Sequence, residues 1–278
     1  MRLGDGPVMA DGADAILQRG GAAVGNPAGP PRATPGMSVS GRHSSGSARE
    51  GRLGGMTAGI TLGSPTLAEL ECRPKLRGVL HLIAAPLFAF NGLVLTAVAR
   101  TTGARLACAV YAASAAALFA TSATYHRVSW PPRLRQIMQR LDHSMIFVLI
   151  AGTYTPVVVL TLPPHERVVF LLLVWLGASA GVVLKWLPGQ RPGWVEGALY
   201  IALGWLALLF LPQFIAGAGV AASLLLGVGG VLYTLGAAAL ATHRPDPWPR
   251  IFGYHEVWHA ATLAATTCQA IGIWLLAV

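Results

Sequence analysis

His255 and His259 stand four residues apart in the stretch HEVWH, with Glu256 between them. On a helix this spacing puts both imidazoles on one face. It is also the pattern with which metalloproteases hold zinc, the glutamate serving as general base. Such a protease takes a further ligand from a later segment, but only an apolar run, AATLAATTCQAIGIWLLAV, follows His259. The third ligand is therefore expected upstream, and the best-placed candidate is His126, the last residue of SATYH.

His126, His255 and His259 would supply three imidazoles and leave a fourth position open, the arrangement of catalytic zinc. Asp142 falls in the first turn of the segment LDHSMIF, near the positive end of a helix dipole, which keeps a carboxylate ionised. From there it could hold a water at the ion or orient a ligand histidine. Ser122, one turn before His126, could donate to the same water or to a substrate oxygen. His143 and His165 read as ordinary interfacial side chains. His81 is left open between packing and lining the site. Arg127, Arg133, Arg135 and Arg140 read as topology anchors.

These residues lie far apart in the chain, so long elements must bring them together. The sequence is 54% hydrophobic and only 11% charged, with a mean hydropathy of +0.57. A chain this apolar belongs in lipid, and the expected fold is all-α, a polytopic bundle of seven transmembrane helices. The runs lie at roughly 77–99, 104–126, 142–161, 168–186, 195–212, 217–241 and 255–277, each near the ~20 residues that cross a hydrocarbon core. Lys and Arg cluster at Arg73 to Arg77, Arg127 to Arg140, Lys185 to Arg191 and Arg244 to Arg250. By the positive-inside rule this predicts a cytoplasmic N-terminus and an outside C-terminus. SATYH, LDHSMIF and HEVWH then share one depth near the inner leaflet. Intramembrane ionisable groups are costly and ordinarily paired, which favours a common site over chance.

Residues 1–70 are rich in Gly, Ala, Pro, Ser and Arg and are expected to form a disordered tail, with Met37 and Met56 as candidate starts. Residues 71–278 form the membrane domain. The net charge of +9 sits in the tail and between the apolar runs, so it does not point to nucleic acid. Cys72, Cys108 and Cys268 suggest neither a disulfide framework nor a thiolate site. The expected location is the bacterial inner membrane, multi-pass, with the bilayer and a membrane lipid as partners. Oligomeric state is not read from the sequence.

The ordered set SATYH, LDHSMIFVLIAGTYTP, then GGVLYTLG followed by WPRIFGYHEVWH resembles the haemolysin III family, the bacterial branch of the progestin and adiponectin receptor superfamily. The resemblance runs over about residues 71–278. It implies a seven-helix fold with zinc near the cytoplasmic face. By motif, the family's serine and histidine fall on Ser122 and His126, its aspartate on Asp142, and its histidine pair on His255 and His259. It further implies a zinc-dependent, ceramidase-like hydrolase of a lipid amide or ester. Glu256 is not an essential position of that pattern. The chain departs from many members at ALYIALGWL, which lacks a proline, and at Cys268 and Gln269, where others carry a histidine. Two alternatives stand beside the hydrolase: a receptor-like or homeostatic protein with structural zinc, and a pore-forming cytolysin.

Overall fold

Within hydrocarbon every backbone N–H and C=O must be satisfied internally, so apolar runs of this length form helices. A computed structural model describes residues 74–189 and 193–278. The expected tail, residues 1–70, lies outside the described residues. The described helices are α1 (Val79–Val98), α2 (Thr102–Arg127), α3 (Pro132–Thr161), α4 (Pro164–Trp186), α5 (Gly193–Gly204), α6 (Leu211–Thr242) and α7 (Tyr254–Ala277). No β-strand occurs among the described residues.

Local chemistry sets the helix starts. The Thr101 hydroxyl caps α2 by accepting from the Ala104 N–H at 3.1 Å. Helices α3 and α4 open with Pro132 and Pro164, at positions where a missing N–H leaves no intrahelical bond unmade.

Six helices are long and apolar enough to cross a membrane, the fifth being the whole 50-residue stretch Gly193–Thr242. Sequence reasoning divides this stretch into two spans with a break at Pro212 to Gly219. In the structure it is helical through Pro212 and interrupted twice. A 3-10 turn covers Leu206–Phe210, and Gly219 takes φ 74°, ψ 170°, a backbone conformation outside the helical region. Proline near a helix start does not break it, whereas a glycine at positive φ does.

The outward faces are apolar: Leu82, Ile83, Leu87, Phe90 and Leu93 on α1 and Leu172 and Leu176 on α4 are exposed. In water these would form one very large apolar patch. In a bilayer they face lipid, and the chain is a multi-pass membrane protein.

Lipid offers helices little hydrophobic drive to associate, so close packing must supply it, and small residues permit the closest approach. Helix α1 meets α2 where Gly92 faces Ala112, and α2 meets α3 where Gly152 faces Ser114. A Cβ at position 152 would lie 2.1 Å from Ser114 Oγ.

Gly152→Val is therefore expected to destabilise the bundle by about 1–3 kcal/mol, as overpacked cores do. Thermal unfolding in detergent should show a clear drop in midpoint. Gly103→Ala, whose Cβ meets nothing within 4 Å, should show none. Identical midpoints for both variants would contradict this packing of α2 on α3.

Candidate metal centre

The start of α7 is held by its own third residue. Glu256 Oε2 accepts from the Gly253 N–H at 2.8 Å, covering one of the donors a helix start leaves unpaired. Its other oxygen, Oε1, accepts from Arg77 Nε just ahead of α1. Glu256 is fully buried, so the arginine offsets a charge that would otherwise stand alone in the interior. Two backbone bonds continue the junction: Lys75 N–H to Arg250 O and Leu76 N–H to Ile251 O, both 3.1 Å. At the far end the Arg100 N–H reaches Ala277 O at 3.3 Å. Helices α1 and α7 thus run parallel, tied at both ends.

With α7 set in this way, His255 and His259 face the last turn of α2, where His126 stands. All three histidines are buried. One ligand nitrogen from each lies within 4.8 Å of the others, so the trio could hold a metal ion. His126 Nε2 and His255 Nε2 are 3.3 Å apart. Two nitrogens bound to one tetrahedral ion at about 2.0–2.1 Å stand about 3.3 Å apart, so this pair already has the separation of adjacent ligands. The donor set fits as well, since uncharged imidazole is a common zinc, copper, iron or nickel ligand.

Asp142 Oδ2 lies 3.9 Å from His126 Nε2, the same nitrogen that faces His255. Its carboxylate thus approaches the inward side of the cluster. Ser122 is buried on α2, one turn before His126. His143 and His165 do not join the group. His143 pairs with Glu196 at 3.5 Å beside the Lys185–Glu196 ion pair, and His165 is exposed next to Glu166 on α4. Of the four arginines read as anchors, Arg127, Arg133 and Arg135 are exposed and Arg140 is half-buried.

Two features, at Arg77 and Gly78, were not foreseen from the residues alone, and a third, the place of His81, was left open. His81, buried on α1, stacks on His259 with ring centroids 3.9 Å apart and planes 14° from parallel, and its edge contacts Phe119. Arg77 is a structural partner of Glu256 as well as a positive charge at a span end. Gly78, at φ 76°, lets the chain enter α1 directly over His126, where a Cβ would come 2.7 Å from the His126 Cβ. No i,i+4 signal could have found them together, because Arg77 precedes α1 and the left-handed Gly78 separates it from His81. The two nonetheless meet neighbouring residues of the parallel α7, Arg77 at Glu256 and His81 at His259.

Residues 71–270 match the family model described as haemolysin-III related. The chain belongs to the haemolysin III family, within the progestin and adiponectin receptor superfamily. It is 32% identical over 167 residues to "Hemolysin-3" of Bacillus cereus, covering 60% of this chain and 73% of that protein. It is 29% identical over 160 residues to "Hemolysin-3 homolog" of Bacillus subtilis, covering 58% and 72%. The human "Monocyte to macrophage differentiation factor" is 26% identical over 173 residues, covering 59% and 68%.

In this haemolysin III chain Glu256 has both oxygens engaged away from the imidazoles, which leaves no free carboxylate for a protease-like base. Glu256→Gln should accordingly keep whatever metal the wild type binds while lowering the unfolding midpoint. Arg77→Ala, which strands a buried carboxylate, should cost more, on the order of 3–5 kcal/mol. Loss of metal in Glu256→Gln at an unchanged midpoint would reverse these roles.

Proposed function

We propose that this protein is a zinc-dependent hydrolase of a membrane-lipid amide or ester. Its site would lie at the cytoplasmic end of a bundle that crosses the membrane seven times. The observation that carries the reading is the 3.3 Å separation of His126 Nε2 and His255 Nε2, with Asp142 Oδ2 approaching the same inward nitrogen. Zinc held there by His126, His255 and His259 would supply a Lewis acid and make water acidic enough to act as a nucleophile at neutral pH.

The remaining chemistry falls to the chain. Asp142, on the inward side, is suited to take a proton from water rather than to orient His126 from behind. Ser122 would hydrogen-bond the substrate carbonyl oxygen and help polarise it. Trp258 and Thr262 line an apolar cavity of about 180 Å³ on the face of α7 next to the one that carries His259, and a lipid chain lodged there would run alongside the helix that holds the site. Parallel α1 and α7 support the topology, because they require an odd number of crossings and hence two within Gly193–Thr242. The Lys and Arg distribution supports a cytoplasmic N-terminus.

A second reading, a structural metal in a non-enzymatic protein, is favoured by the way the cluster joins α2 to α7, with α1 stacked against it through His81. Metal content and lipid-amide or ester turnover of detergent-purified variants separate the two. His126→Ala and His255→Ala are expected to lose about one zinc per chain relative to wild type, the stoichiometry of a three-histidine site. Asp142→Asn should keep zinc and lose turnover. Equal zinc in all three variants would sink the ligand assignment. Zinc loss that lowers only the unfolding midpoint, with no turnover by the wild type, would select the structural reading.

A further inference from the structure

A histidine that binds a metal needs its ring aimed, because the torsion that turns an imidazole is broad and roughly two-fold. The usual device is a hydrogen bond at the ring nitrogen that faces away from the ion. The ring of His259 makes none among the described residues. What lies against it instead is His81 of α1, its ring centroid 3.9 Å away and its plane 14° from parallel. His81 is itself held firmly. It is buried, the Phe119 ring meets it edge-on at 5.0 Å, and Phe119 packs in turn on Phe88. Just ahead of it, the Arg77–Glu256 ion pair ties the entry of α1 to the first turn of α7.

The angles between the rings separate a ligand from a support. An imidazole nitrogen donates its lone pair within the plane of its own ring, so rings that share one ion must have planes that meet at it. The planes of His126, His255 and His259 cross steeply, at 60°, 66° and 78° for the three pairs. The plane of His81 runs beside that of His259 rather than across it. An ion in line with a His259 nitrogen, at about 2.0–2.1 Å, therefore lies off the face of His81, where that ring has no lone pair to give. The group able to hold an ion is accordingly His126, His255 and His259, without His81.

We propose that His81 is a positioning residue of the metal centre. Its ring face holds His259 at the rotation that turns a nitrogen toward His126 and His255. Stacking thus does for His259 what a hydrogen bond does for most metal-binding histidines. A flat group is required, because a branched aliphatic side chain would fill the same space and leave the torsion of His259 free. The inference rests on the reading of the three histidines as ligands, and it gives α1, which supplies no ligand, a share in metal binding.

The test is metal affinity, which needs no turnover, with cobalt(II) as the probe because its visible bands report the geometry of its ligands. The detergent-purified full chain is compared with His81→Leu, with Phe119→Leu, and with His81→Phe/Phe119→Leu, in which the smaller leucine makes room for the larger ring. His81→Leu is expected to weaken cobalt binding about tenfold, the lower end of what losing an orienting contact costs a metal site, and to alter the bands. Phe119→Leu thins the same part of the core but leaves the stack in place. It should lower the metal-free unfolding midpoint while keeping wild-type affinity and bands, and the double variant should keep them too. Wild-type affinity in His81→Leu, or an equal loss in His81→Leu and Phe119→Leu, would overturn the proposal and leave the ligand assignment standing. A loss in the double variant that Phe119→Leu does not show would assign the effect to the His81 nitrogens and likewise overturn it. No cobalt bound by the wild type would overturn the metal reading and this proposal with it.

Discussion

A polar group inside hydrocarbon has no water to turn to, and this constraint organises the whole molecule. Threonines along α3, α6 and α7 satisfy themselves on their own helices. Where self-satisfaction is impossible, partners come from distant parts of the chain. Glu256 meets two needs at once, closing a backbone donor at the start of α7 and neutralising Arg77 beside α1. The histidine cluster follows from this arrangement, because the same turn of α7 that presents Glu256 to α1 presents His255 and His259 to α2.

The geometry of the cluster is set by backbone positions more than by the imidazoles. Helix α2 must end where α7 begins, and α1 must pass close enough to cover both. Gly78 makes that passage possible, since neither its positive φ nor its 2.7 Å clearance to His126 admits a side chain comfortably. Beyond it, His81 lies flat on His259, so the ring nearest the core is held between its own helix and a neighbour. Rigid support of this kind is what a ligand or catalytic residue requires to be effective.

Much of this was legible in the sequence because it depended on local patterns. The i,i+4 spacing of His255 and His259 placed them on one face, and charge asymmetry together with span lengths brought His126 and Asp142 to their depth. The structure brings these four residues together. The role of Glu256 was not legible, because the same five-residue motif serves a protease base or a helix cap and only the position of Arg77 decides. His81 was left open because a stacking contact leaves no local signature. The α5–α6 stretch was harder still. Proline and glycine both punctuate it, but Pro212 sits harmlessly near a helix start, while Gly219 breaks the helix.

The parallel pairing of α1 with α7 also bears on how the molecule comes into being. The three histidines that could hold a metal are divided between α2 and α7, and Arg77, just ahead of α1, waits for Glu256. A ribosome delivers these segments in order, so α1 to α6 are made before Arg77 can meet Glu256 and before His126 can meet His255 and His259. The histidine cluster can close only after α7 has inserted. A chain cut short anywhere before α7 therefore carries Arg77 without its carboxylate and His126 without the two imidazoles that complete the cluster.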